Sequence, residues 1–66
     1  MDKYLFNSIL KRKGITQEEF AKKLGISRMS LTNRINGKVL WNLDEMKIAE
    51  KVLKLTGDEM RAVFFS

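Results

Sequence analysis

The sequence predicts an all-α fold, a compact bundle of five short helices. Apolar residues recur at helical spacing in five segments, and no strand-like alternation of any length is present. Proline is absent, and the four glycines, at positions 14, 25, 37 and 57, are spaced as the ends of short helices would be. The 66 residues predict one domain, because a chain this short buries only about 60% of its unfolded surface.

The first two helices are predicted from their capping residues. Helix one runs from Asp2, a suitable N-cap, to Lys13. Helix two opens at a capping box formed by Thr16 and Glu19, and it ends at Gly25. The inward residues are Leu5, Phe6, Ile9 and Leu10 in helix one, and Phe20, Ala21 and Leu24 in helix two.

Helix three opens at Ser27, another N-cap, and ends at Asn36-Gly37, with Leu31 and Ile35 facing inward. Residues 38–42 form a connector to the fourth helix. This connector contains three large apolar residues, and we expect them to fold back on the core: Val39, Leu40 and Trp41.

Helix four is predicted from about Leu43 to Lys54, and helix five from near Thr56 towards Phe65. Helix four has two apolar stripes, which predicts burial on two sides. The first stripe is Leu43, Met46, Ala49 and Leu53, and the second is Ile48, Val52 and Leu55. The inward residues of helix five are Met60, Val63 and Phe64.

The composition excludes several kinds of site. Cysteine and histidine are both absent, so disulfides, thiolate metal sites and histidine ligands are excluded. No apolar run approaches the roughly 20 residues of a membrane span. The first residues also lack the uninterrupted apolar stretch of a signal peptide. We therefore expect a cytoplasmic protein with no metal, no cofactor and no membrane partner.

Charge is distributed unevenly along the chain. Residues 1–38 hold nine Lys and Arg against three Asp and Glu, a net of +6, whereas residues 39–66 hold four against five, a net of −1. This asymmetry suggests a face that meets a polyanion, although ordinary solubilising lysines are the alternative. An acidic membrane surface fits less well, because the basic residues are spread over several short helices.

The acidic pairs of the sequence do not predict an enzyme. Each of the three pairs opens a helix, where negative charge interacts favourably with the helix dipole. Serines without a histidine or another activating base give no basis for a nucleophile. The three pairs are Glu18-Glu19, Asp44-Glu45 and Asp58-Glu59.

The residues in and between helices two and three predict that these helices cross at a fixed angle. Ala21 is small enough for close crossing, Gly25 tolerates the positive φ of a tight turn, and Ile26 can pin that turn to the core. A helix enters the major groove of DNA only when another element holds it out from the body. Because Leu31 and Ile35 point inward, the opposite face of helix three carries Arg28, Met29, Thr32 and Asn33.

A larger set of residues carries a family resemblance: Thr16-Gln17-Glu18-Glu19, Phe20-Ala21, Leu24-Gly25-Ile26-Ser27, Leu31 and Asn36-Gly37-Lys38. With these residues the chain resembles the small helix-turn-helix repressors of phages and bacteria, the lambda repressor and Cro type, from about Leu5 to Phe64. The resemblance implies one DNA-binding domain, residues 1–66, with its helix-turn-helix at 17–36. It also implies that the recognition helix, residues 28–36, lies in the major groove.

The chain departs from this family at one place. Near the end of the recognition helix the family usually has an apolar residue followed by an acidic one. Here Arg34 and Ile35 stand in those positions. This leaves the direction of the Arg34 side chain open, so no base is assigned to it.

The outward face of helix three carries the predicted base contacts. Arg28 suits the O6 and N7 of guanine, and Asn33 suits two hydrogen bonds with adenine. Thr32 and Met29 are predicted to touch thymine methyl groups, with core packing the alternative for Met29. The resemblance implies that Gln17 contacts phosphate. The other predicted phosphate contacts are Ser27, Asn36 and Lys38.

Together these features predict a sequence-specific transcriptional regulator that binds double-stranded DNA, repressor-like or Cro-like, and encoded by a phage or prophage. A two-fold homodimer is expected, at least on DNA, with Trp41, Val63 and Phe65 as candidate contacts between subunits. No small-molecule ligand is expected. The alternatives are a protein-interaction adaptor and an antitoxin with the same helical fold, since fold alone does not settle function.

Overall fold

The computed structural model describes residues 1–65, and this part of the chain contains five α-helices. They are α1 (Lys3–Lys13), α2 (Gln17–Leu24), α3 (Arg28–Ile35), α4 (Leu43–Leu53) and α5 (Gly57–Phe64). No strand occurs within this range, and the helices form a body of 27 × 24 × 21 Å. The all-α prediction is confirmed, and each helix lies close to its predicted bounds.

Each helix begins at a side chain that accepts a hydrogen bond from a backbone amide three residues later. In three of the five, a glutamate also reaches back to the amide of the cap and completes a capping box. These caps satisfy amides that have no partner inside the helix, which stabilises helices this short. The caps are Asp2, Ser27 and the boxed pairs Thr16–Glu19, Asn42–Glu45 and Thr56–Glu59.

The helix ends follow the predicted pattern in α1 and α2 but not in α4. Gly14 and Gly25 end the first two helices in the left-handed conformation, at φ 69° and 76°. The α4 helix ends at Lys54, which adopts a left-handed φ of 53° although it is not a glycine. Gly57 is the first residue of α5, at the predicted start of that helix near Thr56.

The core joins one inward face from each helix. Phe6 and Phe20 meet edge to face, with ring centroids 5.4 Å apart. The Trp41 ring lies 5.6 Å from Phe6 and 5.0 Å from Phe64, and its Nε1 donates to the sulfur of Met1 at 3.1 Å. The buried apolar residues are Phe6, Ile9, Leu10, Phe20, Ala21, Leu31, Ile35, Ala49, Leu53, Leu55 and Val63.

Of the three residues predicted to contact a second subunit, Val63 belongs to this core and Trp41 packs against it. Val63 has no exposed surface, so its side chain offers nothing to a partner. Trp41 is half-buried, and aromatic rings of the core pack against it. Phe65 follows the end of α5 and remains 66% exposed, whereas its neighbour Phe64 packs against the core.

The connector between α3 and α4 does not fold back on the core as a whole. Trp41 does so, but Val39 is exposed, and 88% of the Leu40 surface is exposed. The prediction that Leu43 belongs to a buried stripe is also wrong, since this residue is 64% exposed. Its side chain points away from the buried face of α4. That face consists of residues spaced about one turn apart along the helix. Those residues are Glu45, Ala49 and Leu53.

Candidate nucleic-acid interface

The helix-turn-helix consists of α2, a tight turn and α3. Ala21 is buried, and α2 and α3 pack closely against each other. Gly25 takes the positive φ that the turn needs, and the amide of Ile26 donates to the Ala21 carbonyl at 3.0 Å. Ile26 itself packs against the core. The α2 helix therefore supports α3 at a fixed angle and leaves one side of α3 free.

The α3 helix turns Leu31 and Ile35 into the core and leaves its other side at the surface. At its N-terminal end Arg28 and Met29 are exposed. Met29 is 74% exposed, which excludes the core-packing alternative for this residue. The remaining two predicted base-contacting residues lie one turn later and are half-buried: Thr32 and Asn33.

Local hydrogen bonds use some groups on this side of α3 and leave others free. The Thr32 hydroxyl donates to the Arg28 carbonyl at 3.0 Å, which leaves the Thr32 methyl group for an apolar contact. The backbone carbonyl of Asn33 accepts from the amides of Lys38 at 2.9 Å and Val39 at 3.3 Å. Among residues 1–65, the Asn33 carboxamide makes no hydrogen bond and the Arg28 guanidinium makes no ion pair.

The side chain of Gln17, the first residue of α2, is held in place by α1. Its Nε2 donates to Oδ1 of Asn7 at 2.7 Å, so carboxamides from two helices form one polar edge. Sequence reasoning missed Asn7 because nothing in the local pattern connects residues ten positions apart. The structure thus adds Asn7 to the predicted phosphate-contacting side of the site.

The other predicted phosphate contacts flank α3. The Ser27 hydroxyl accepts from the Ser30 amide at 3.1 Å and lies 3.0 Å from the Ser30 hydroxyl, so capping already uses it. Asn36 ends α3, and Lys38 follows after Gly37 has turned the chain at φ 79°. Asn36 and Lys38 are exposed. They therefore extend the polar surface beyond the C-terminal end of the helix.

Arg34, whose direction the sequence left open, turns towards α4. Its Nε donates to both carboxylate oxygens of Glu45 at 3.0 Å, and the two side chains are only 17% and 10% exposed. Burial by itself would raise the pKa of Glu45. Hydrogen bonds from Arg34 and the Asn42 amide, with the charge of Arg34, outweigh burial and lower that pKa below its ordinary value. Arg34 is thus held in an ion pair, away from the outward face.

Hydrogen bonds from the helix caps likewise lower the pKa of two other glutamates that open helices. The amide and hydroxyl of Thr16 act on Glu19, and those of Thr56 act on Glu59. Capping therefore accounts for one carboxylate in each acidic pair. Within residues 1–65, no group of three or more acidic residues is arranged to hold a metal ion, and no helix is long and apolar enough to cross a membrane.

Residues 7–60 match the model of the helix-turn-helix family. The chain belongs to this family. The match contains the whole segment from Gln17 to Asn36, and it confirms the resemblance to small repressors of the lambda repressor and Cro type. Helix-turn-helix proteins of this family are DNA-binding transcription regulators and are generally not enzymes. No curated protein and no solved structure gave a significant match to the chain.

Proposed function

We propose that this helix-turn-helix protein is a sequence-specific transcriptional regulator of the repressor or Cro kind, which reads double-stranded DNA with α3. One observation carries the proposal: α2 holds α3 so that Leu31 and Ile35 are buried while Arg28 and Met29 are exposed. A helix held out in this way fits the major groove, where the base pairs present distinct patterns of donors and acceptors.

The proposed base contacts follow from the groups that are free on this face. The unpaired guanidinium of Arg28 would donate to the O6 and N7 of guanine, and the carboxamide of Asn33 would pair with adenine. The Thr32 methyl group and the exposed Met29 side chain would touch thymine methyl groups. Arg28 lies at the N-terminal end of α3, which recognition helices turn towards the base edges.

The proposed phosphate contacts surround these base contacts. Gln17 lies at the N-terminus of α2, where free amides and the helix dipole favour an anion. Its hydrogen bond to Asn7 would hold the side chain ready for that contact. Because its hydroxyl is used in capping, Ser27 would contact phosphate through its backbone amide. Beyond α3, the contacts would come from Asn36 and Lys38.

We also propose that the protein acts as a two-fold homodimer on a pseudo-palindromic operator, with half-sites about 10 bp apart. Phe65 and Leu40 are large, apolar and uncovered, which supports a role in self-association. A bound dimer would regulate by excluding polymerase from the promoter. The resemblance to phage repressors supports a phage or prophage gene.

Selection of binding sites from random duplexes tests this function. We expect enrichment of a pseudo-palindromic sequence with guanine and adenine in each half-site. Affinity for that sequence should fall about 1,000-fold or more between about 50 and about 200 mM salt, if six or more phosphates are neutralised. Failure to enrich any sequence, or an affinity that does not change with salt, would contradict the proposal.

A protein-binding adaptor is the second candidate, and the exposed apolar side chains of Leu40, Leu43 and Phe65 favour it. An adaptor would enrich no duplex, so the same selection separates it from a regulator. An antitoxin that also binds DNA would enrich a duplex and differ by having an additional protein partner. The outward face of α3 favours DNA, since Met29 is its single apolar member.

A further inference from the structure

An ion pair connects the recognition helix directly to α4. The α3 helix packs closely on α2, and α4 packs closely on α1 and α2. Between α3 and α4, the guanidinium of Arg34 forms a bridge to the carboxylate of Glu45. Within residues 1–65, Glu45 is the one charged residue that is buried. A buried charge costs free energy unless it is paired, so this bridge needs a physical explanation.

Both ends of the bridge are fixed to backbone groups. Glu45 belongs to the capping box of α4: its Oε1 accepts from the Asn42 amide at 3.0 Å, and its own amide donates to Asn42 Oδ1 at 2.8 Å. The Nη1 of Arg34 donates to the Ser30 carbonyl at 3.0 Å, one turn earlier in α3. The planar guanidinium therefore links the backbone of α3 to the N-terminus of α4.

This bridge lies behind the second half of the proposed reading face, the outward side of α3 that carries Arg28, Met29, Thr32 and Asn33. The core holds α3 through Leu31 and Ile35, and the bridge adds a directional restraint at the residue between Asn33 and Ile35. The carbonyl of Asn33 also holds the loop that presents Lys38. A rotation of α3 relative to α4 would therefore displace a proposed base contact and a proposed phosphate contact together.

Building on the proposed function, we propose that Arg34 and Glu45 are positioning residues, which fix α3 at the angle that its exposed side needs in the major groove. Base contacts require donors and acceptors placed to within a fraction of an ångström. Phosphate contacts carry no sequence information and occur on any duplex. Loss of the bridge should therefore lower affinity for the preferred site more than affinity for an unrelated duplex.

Glu45→Gln tests the proposal, and Glu59→Gln is its matched control. Both variants remove one negative charge, so electrostatics alone predicts tighter binding to any duplex. Glu59 has the same capping-box position on α5 and also pairs with an arginine, Arg12, at 3.4 Å, but that arginine lies in α1 and not in the recognition helix. The probes are a duplex enriched by the unchanged protein and a shuffled duplex of the same composition.

We expect the ratio of affinities for the enriched and shuffled duplexes to fall about tenfold to 100-fold in Glu45→Gln, the cost of one or two displaced base contacts. The ratio should be unchanged in Glu59→Gln. An unchanged ratio in Glu45→Gln would overturn the proposal. If Glu45→Gln does not fold, the double variant Arg34→Met/Glu45→Leu replaces it, because apolar replacement of a buried ion pair often preserves stability. A double variant that kept the original ratio would also overturn the proposal.

Hydrogen exchange without DNA separates failure of this proposal from failure of the proposed function. In Glu45→Gln the α3 amides of residues 31–35 should exchange faster relative to those of α1, and in Glu59→Gln they should not. If the unchanged protein enriches no duplex, the proposed function fails, and the exchange rates still decide whether the bridge positions α3. Unchanged relative exchange in α3 would overturn the proposal.

Discussion

Single side chains on and beside α3 are expected to divide into those that specify sequence and those that only position the protein. Arg28 is exposed on the reading face, and Lys38 is exposed in the loop that follows the helix. Arg28→Ala should relax specificity at one base-pair position, at a cost of about 1–3 kcal/mol, because a bidentate contact is lost. Competition between the enriched duplex and its single-base variants measures this loss.

Lys38→Ala is the matched substitution, since it also removes one positive charge from an exposed side chain. It should weaken binding to all sequences nearly equally and reduce the salt slope by about 1. If Arg28→Ala weakened all sequences equally as well, Arg28 would be a phosphate contact and not a reader of guanine.

The carboxylate of Glu45 makes stability depend on pH. Its pKa is lowered in the folded protein relative to the ordinary value of 4.5. The ion pair therefore stabilises the fold above the unfolded-state pKa, and this stabilisation is lost as pH falls through the lower folded-state pKa. Urea unfolding between neutral and acidic pH should show a smaller loss of stability in Glu45→Gln than in the unchanged protein.

Glu19 and Glu59 also have a lowered pKa, and both remain in the Glu45→Gln variant. Their shared contribution cancels, so the difference between the two proteins isolates the Glu45 carboxylate, with its bridge to Arg34 and its hydrogen bond from the Asn42 amide. Identical pH profiles would mean that the Glu45 carboxylate gives the fold no net pH-dependent stability.

At the scale of helices, the end of α4 is a place where the chain is not optimised for stability. Lys54 adopts φ 53°, and a left-handed conformation costs a non-glycine residue roughly 1–2 kcal/mol. Lys54→Gly should raise the free energy of unfolding by up to about 1 kcal/mol, because the gain is partly offset by the greater entropy of glycine in the unfolded chain. Chemical denaturation provides the measurement.

Lys51→Gly is the control for this change, because Lys51 lies in the last turn of the same helix and carries the same charge. Glycine inside a helix is unfavourable by about 1 kcal/mol. Lys51→Gly should therefore lower stability while Lys54→Gly raises it. A loss of stability in both variants would show that the Lys54 side chain contributes more than its backbone conformation costs.

At the scale of the whole molecule, the apolar residues left uncovered predict how two copies meet. Phe65 is 66% exposed beside the packed Phe64. Phe65→Ala should weaken self-association on the enriched duplex at least about tenfold, since aromatic residues contribute strongly to interfaces. Sedimentation of the protein, free and bound to that duplex, gives the stoichiometry in both states.

Tyr4→Ala is the comparison for Phe65→Ala, because Tyr4 is also a highly exposed aromatic residue but lies in α1. It should leave the stoichiometry unchanged. Self-association of Phe65→Ala equal to that of the unchanged protein would remove Phe65 from the interface and leave Leu40 as the next residue to test.

The helices, their caps and the supporting turn were predictable from sequence because they depend on residues close together in the chain. Thr16, Glu19 and Gly25 fix the bounds of α2 through hydrogen bonds and backbone conformations local to that helix. The capping boxes at Asn42 and Thr56 were not predicted, although their three-residue spacing to glutamate is the same signal. Helical periodicity placed Leu31 and Ile35 on the buried side of α3, but it left the direction of Arg34 open.

The tertiary structure alone decided which side chains meet across the molecule. Arg34 finds its carboxylate 11 residues away, and Gln17 finds its partner in another helix. Glu45 takes a position on the buried face of α4, while Leu43, the more apolar residue, remains outside. Hydrophobicity indicates which residues tend to be buried, but the burial of any one depends on how the helices are rotated against each other. That rotation is set by packing between residues distant in sequence, which no local pattern contains.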